Sequence, residues 1–578
     1  MTSVREIEGA SPQTANIPAT EEPIEEQAYP RRWLAAGVLL LASALDLIDG
    51  TIVNVAIPSI QRDLGTTYAA IQWVVAGYAL AFALLLVTGG RLGDIVGRKR
   101  MFLLGVLGFT LASAICGAAI NPAMLVGARI AQGAAAAMMV PQVLAIFQVI
   151  FPTKERPAAF GVYGAVLGLM AVVGPILGGV IVQANLFGLE WRPIFYINVF
   201  VGAAALIAAA SIVPESKAPH ALRLDLPGVA LLTLALGMLL FPLIEGRELD
   251  WPVWGFALMA ASAPTLAFFA MYERYKTNKD GSPLVVLALF RQRAFVAGLL
   301  INIVFFAAFS ALTFILALYL QIGLGFSPLT AGLTLLPFSF GSMIGSGISI
   351  PLAQRLGRTI VAVGMLITTV ATFGLLLTVH LYGQKATPWT FAPALGIAGI
   401  GFGMIVVRLV DIILAGVHQR DAGSASGVFG ATNQLGGAIG VAVIGVLFFS
   451  LLTTQAVASA NAVAPQIRSG LQSAGLPTQA QTQIVKGFTV CYRDRSAEKD
   501  PTVIPPSCRQ GNQESNTLPG GLSQRIAQVV GAAAKDANTY NFALAFENIL
   551  WYIGGGFLLC LLLIFLLPAG AKPDTGKE

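Results

Sequence analysis

Gly90-Arg91-Leu92-Gly93-Asp94-Ile95-Val96-Gly97-Arg98-Lys99-Arg100 separates two apolar runs, 69–89 and 101–120. Each run is long enough to cross about 30 Å of hydrocarbon as a helix. The segment between them holds four cations, one acid and three glycines. It therefore turns the chain at a membrane surface, and its positive charge holds that turn on the cytoplasmic side.

The rest of the chain fits the same solvent. Of 578 residues, 56% are hydrophobic and only 11% charged, far outside the range of soluble domains. The formal charge of +6 does not mark a nucleic-acid partner, because the cations sit in short loops and no basic stripe carries interleaved aromatics. Residues 1–30 are polar and acidic and read as a disordered cytoplasmic tail without signal-peptide features.

Apolar blocks and their breaks give fourteen spans: 33–57, 69–89, 101–120, 123–150, 158–183, 193–213, 227–244, 252–271, 295–321, 329–352, 359–380, 391–417, 425–452 and 542–567. With the N-terminus inside, roughly 21 Lys and Arg fall in inner loops and tails, against about 4 in short outer loops. One helix more or fewer would invert every later loop and spoil that asymmetry. Leu352-Ala353-Gln354-Arg355-Leu356-Gly357-Arg358 also lines up with Leu92–Arg98, with Gln354 where the first copy has Asp94. The expected layout is an N-terminal six-helix bundle over 31–213, two inserted helices with linkers over 214–294, and a C-terminal six-helix bundle over 295–568. An extracellular loop lies at 453–541 and a cytoplasmic tail at 569–578. Parallel repeats of this kind place a substrate near the midplane between the halves.

The pattern G-x-L-x-D-x-x-G-R-K at Gly90–Lys99 resembles the signature between the second and third spans of the major facilitator superfamily. The resemblance implies an all-α membrane fold of 6 + 2 + 6 helices. In it Gly90, Gly93, Asp94, Gly97 and Arg98 control gating. Asp49–Pro58 resembles the D-x-T-I-V-N-V-A-L-P signature of the fourteen-span drug:proton antiporters, a resemblance that places Asp49 in the transport pathway. Asp46 is extra to that pattern. Three residues apart on a helix, the two acids share a face. A carboxylate in hydrocarbon costs several kcal/mol, so it faces a cavity, pairs with a cation or stays protonated. A close pair titrates as one unit, which suits a proton carrier.

Arg129 begins Arg129-Ile130-Ala131-Gln132-Gly133, similar to the R-x-x-Q-G pattern whose arginine the family links to proton coupling. A guanidinium keeps its charge and needs an acid or carbonyls, and Asp49 is the expected partner. Gly174-Pro175-Ile176-Leu177-Gly178-Gly179 resembles the antiporter pattern G-x-x-x-G-P-x-x-G-G, with Met170 at its first glycine position; it implies export rather than uptake. Trp191-Arg192 with Phe195–Val199 also resembles this branch, with Pro193 and Phe200 departing from its usual residues, as does Tyr319–Gln321 with Gly325–Pro328 and Ala331-Gly332.

Other residues leave two readings open. Arg408 and Asp411 in the twelfth span form a self-neutralising pair or line the substrate path. Asn433 and Gln434 bond neighbouring helices or substrate. Phe305, Phe306 and Phe309 line a cavity or face lipid. In the outer loop, Cys491 and Cys508 bracket a Pro-containing charged stretch and are placed to close a disulfide, while 522–537 reads as a short amphipathic helix. This loop is a lid, a dock for a periplasmic or extracellular partner, or an insertion without a transport role.

No Walker loop, metal-ligand spacing or nucleophile motif occurs, so the sequence reads as a transporter rather than an enzyme. The expected function is proton-coupled export of amphipathic, cationic drug-like compounds across a plasma membrane, both termini inside, driven by the proton gradient without a cofactor. Export of a native lipid or metabolite is the alternative; a non-transporting sensor or scaffold is the rival of another class.

Overall fold

The computed structural model describes residues 29–152, 155–217, 223–356, 358–414, 422–498, 503–509 and 520–567. The terminal tails expected at 1–30 and 569–578 therefore lie almost wholly outside the described residues. The N-terminal helices are α1 (Arg32–Leu64), α2 (Tyr68–Val96), α3 (Arg98–Gly117), α4 (Pro122–Ile150), α5 (Arg156–Ala184) and α6 (Pro193–Ile212). Next come α7 (Leu226–Glu245) and α8 (Val253–Asp280). The C-terminal set is α9 (Arg293–Leu318), α10 (Pro328–Thr334) with α11 (Leu336–Leu356), α12 (Thr359–Tyr382), α13 (Pro388–Leu414) and α14 (Ala422–Thr454). Two polar helices, α15 (Ala456–Ser473) and α16 (Thr478–Ala497), precede the long α17 (Gly520–Leu563).

Among the described residues, thirteen helical stretches are long and apolar enough to cross a membrane, with α10 and α11 forming one of them. The 29-residue α5 takes the remaining position. Fourteen spans arranged 6 + 2 + 6 is thus the architecture.

Packing repeats between the halves. In the first, α1 packs on α5 and α6, α2 on α4, and α3 on α4 and α6. The same set recurs as α9 on α14 and α17, α11 on α13, and α12 on α13 and α17. The halves meet through α2 against α14 and α5 against α10 and α11. The inserted pair α7–α8 pack on each other, and α7 covers the α2–α14 seam. There Leu240 and Ile244 fill a groove that Ala69, Ala76, Ala438 and Ala442 leave open. Small residues allow that approach where lipid supplies no hydrophobic drive. Trp73 Nε1 donates to Glu245 Oε1 at 2.8 Å beside it.

The segment between α14 and the last span differs from the expected polar loop. Helices α15 and α16 and the start of α17 enclose a small core of Ile467, Leu471, Val485, Phe488, Ile526 and Ala533. The short helix expected at 522–537 runs on unbroken into the last span, because 532–553 holds neither Pro nor Gly. Cys491 and Cys508 are joined in a disulfide.

Candidate functional site

The charged residues of the first bundle converge on one place. Asp49 of α1 is fully buried and Arg129 of α4 is 2% exposed. The Arg129 guanidinium pairs with Asp49 Oδ2 and donates to Gln132 Oε1 at 2.6 Å; its Nε donates to the Val74 carbonyl at 3.0 Å. Asp49 Oδ1 accepts from Gln132 Nε2 and from Asn198 Nδ2 of α6, both at 2.8 Å. Gln132 Nε2 also donates to Ser113 Oγ of α3 at 2.8 Å. Five helices therefore contribute to one site. Both Asp49 oxygens and the Arg129 Nε and Nη1 are hydrogen-bonded, which offsets part of the desolvation that a buried ion pair costs.

Asp46 sits in different surroundings one turn away. It is half-buried, and Tyr78 of α2 donates its hydroxyl to Asp46 Oδ1. The Arg129 guanidinium lies over the Tyr78 ring, 4.2 Å from its centroid. Asp46 and Asp49 are thus connected through Tyr78 and Arg129. Sequence reasoning supplied the Asp49–Arg129 pair but not Tyr78 or Ser113, which carry no charge inside apolar helices.

The signature loop is built on close contacts. Gly97 has φ +124°, and a Cβ there would lie 2.7 Å from Glu215 Oε1. Glu215 accepts from the Lys99 backbone N–H at 3.1 Å, and Arg98 N donates to the Ser216 carbonyl at 2.9 Å, so the chain leaving α6 caps α3. Arg98 Nη2 binds Asp94 Oδ1 at 2.9 Å. Gly93 lies against the Gln142 amide of α4, which donates to the Gly89 carbonyl at 2.8 Å; Gly90 is less constrained, with Pro141 Cβ at 3.6 Å.

Arg91, read from sequence only as one of the cytoplasmic cations, is buried and donates to the carbonyls of Arg223, Ser282, Pro283 and Leu284. It thereby ties the linkers around the inserted pair to α2. Asp225 accepts from Tyr272 Oη at 2.9 Å and from Leu284 N at 3.1 Å in the same cluster.

The Gly-Pro patch of α5 lies between the halves. Gly174 and Gly178 receive Thr51 and Ile52 of α1. A Cβ on Gly179 would lie 2.7 Å from Leu329 Cα of α10, and Gly332 rests on the Pro175 carbonyl. Nearby, Gln321 Nε2 donates to the Val55 carbonyl at 2.9 Å, a hydrogen bond between the halves.

In the second bundle the expected path residues differ in burial. Phe305 is fully buried, with ring centroids 5.6 Å from Phe402 and 5.8 Å from Phe557. It fills the bundle core instead of lining a path or facing lipid. Phe306 and Phe309 are half-buried, and Phe309 meets Phe402 at 4.3 Å. Arg408, Asn433 and Gln434 are half-buried on α13 and α14; the Asp411 side chain lies outside the described residues.

Comparison with known proteins identifies the family. The family model described as Major Facilitator Superfamily matches residues 39–441. A probable actinorhodin transporter of Streptomyces coelicolor is 42% identical over 549 residues, covering 95% of this chain and 94% of its own. A puromycin resistance protein of Streptomyces alboniger is 36% identical over 434 residues, 73% of this chain and 84% of its own. Among solved structures, an inward-facing bacterial homologue of the human lysosomal transporter Spinster shares the fold, with TM-score 0.57, 15% identity, and coverage of 93% and 98% of the two chains. A family match across most of the chain, fourteen spans and a repeated six-helix packing together make this protein a member of the major facilitator superfamily, a multi-pass membrane transporter and not an enzyme.

Proposed function

We propose that the protein is a proton-driven exporter of amphipathic, drug-like compounds, working by alternating access in a plasma membrane with both termini inside. The proton gradient drives it without a cofactor. The observation that carries the reading is the chain Asp46–Tyr78–Arg129–Asp49. An intramembrane acid is a functional-site hypothesis by default, and here two are linked to one cation. Protonating Asp46 removes the charge that orients the Tyr78 hydroxyl, so Tyr78 is free to shift beneath the guanidinium. Protonating Asp49 releases Arg129 from its counter-charge and loosens the joint between α1, α4 and α6. Because α1 also packs on the Gly-Pro patch of α5, that loosening reaches the contact between the halves. In the deprotonated state Asp46 is the half-buried acid that a cationic cargo meets. The relatives' names, an antibiotic transporter and an antibiotic resistance protein, support drug-like cargo over a lipid.

The test uses proteoliposomes with an imposed pH gradient, following ethidium and a fluorescent lipid. Gradient-driven ethidium movement should fall at least about tenfold in Asp49→Asn and less in Asp46→Asn. Lipid movement alone would transfer the cargo to lipids. Movement surviving loss of both acids would sink the proton coupling.

A further inference from the structure

Beneath the outer helices is a partly open cavity of about 410 Å³, bordered by α16, α17, the outer ends of α2 and α14, and Arg247 just after α7. Its lining combines aromatic rings with positive charge. Tyr68 and Phe449 pack ring on ring, centroids 3.9 Å apart, and the Arg247 guanidinium stands 5.7 Å from each. Tyr492, Arg495 and Lys535 line it from the outer helices. Glu498 is the single acid in the lining, so the cations exceed it by two. Arg247 Nη2 reaches Thr453 Oγ1 at 3.4 Å, but its Nη1 is buried without a hydrogen-bond partner among the described residues. A buried, unsatisfied guanidinium nitrogen beside a cavity is a vacant donor for an anion. Burial holds the Tyr492 phenol up at about 12, so it faces the cavity uncharged.

We propose that this vestibule is an outer-face binding site for a planar aromatic anion, a molecule of two or three rings bearing a sulfonate, carboxylate or acidic phenol. The rings lie against Tyr68, Phe449 and Tyr492. The acid meets Arg247, with Arg495 and Lys535 supplying positive potential. The volume lies within the range of small-molecule sites. The lining is opposite in sign to the acids of α1, and most of it lies beyond residues 39–441, so it is distinct from the site between the bundles. Such an anion arrives from outside or, resting here on the export reading, leaves through the transporter.

The experiment is equilibrium dialysis of 2-naphthalenesulfonate against the full chain in nanodiscs, with empty nanodiscs as blank and neutral 2-naphthylmethanol as control. We expect saturable binding of one sulfonate per chain, weakened about tenfold in Arg247→Gln and about threefold in Lys535→Gln, whose side chain is exposed and whose replacement leaves the fold intact. The neutral control should not respond to either substitution. Binding no greater than to empty nanodiscs, or equal in wild type and both variants, overturns the site. Asp49→Asn should keep the sulfonate bound while losing gradient-driven transport, so the two proposals fail separately. In vesicles preloaded with the sulfonate, efflux slowed by Arg247→Gln identifies it as departing cargo. Efflux unchanged while binding is lost identifies a ligand that arrives from outside.

Discussion

The two six-helix halves repeat one packing scheme and fill it with opposite chemistry. Where α1, α4 and α6 meet, the interior holds Asp49, Arg129, Gln132 and Asn198. Where the corresponding α9, α13 and α17 meet, it holds Phe305, Phe402 and Phe557. The polar joint depends on charges that a proton can cancel. The aromatic joint depends on shape and dispersion, which no proton changes. In the proposed mechanism this repeated scaffold separates a half that protons switch from a half that holds its form.

The sharpest way to break this contrast is to remove one charge. Asp49→Asn leaves Arg129 buried without a counter-ion, and Arg129→Gln leaves Asp49 likewise. Each should cost about 3–5 kcal/mol of stability. The double variant should cost less than the sum, with a coupling of about 2 kcal/mol or more in thermal unfolding of the detergent-solubilised protein. Additive losses would mean that the pair is not a unit. On the other side, Phe402→Ala removes a ring that meets Phe305, Phe306, Phe309 and Phe338. It should cost about 2–4 kcal/mol through the space it leaves. The dependence of transport on the pH gradient should stay as in wild type. A Phe402→Ala protein that behaves like Asp49→Asn would erase the division between halves.

The same contrast explains what the sequence disclosed. Charges inside apolar runs are conspicuous, so Asp46, Asp49 and Arg129 were legible, as were the spans that carry them. Tyr78 was not, because a tyrosine in an apolar helix gains its meaning only when α2 brings it under Arg129. Arg91 was legible as a cytoplasmic cation, but its acceptors lie more than 130 residues away along the chain. Phe305 illustrates the limit in the aromatic half: an apolar run does not say which face meets protein and which meets lipid. In the segment before the last span, 522–537 was legible as an amphipathic helix. Its partners on α15 and α16 depended on the fold.

Exposure provides the smallest and finest test, because the outer segment holds the same residue types as the buried pair. Asp494 accepts from Ser507 Oγ at 2.7 Å and from Arg493 at 2.8 Å, with the two charged side chains 33% and 54% exposed. The Ser507 hydroxyl first, and Arg493 second, hold the Asp494 carboxyl below its ordinary value. A depressed carboxylate stabilises the fold above its unfolded value of about 3.9, and that contribution is lost as pH falls through the folded value. Solvent screening limits it to about 0.5 kcal/mol. Hydrogen exchange over 503–509, corrected for intrinsic rate, should therefore lose protection below about pH 4 in the wild type. In Asp494→Asn it should be uniformly low, with no step. An identical acid response in both proteins would show that the contact adds nothing. Only burial, then, would separate an Asp–Arg pair that matters from one that does not.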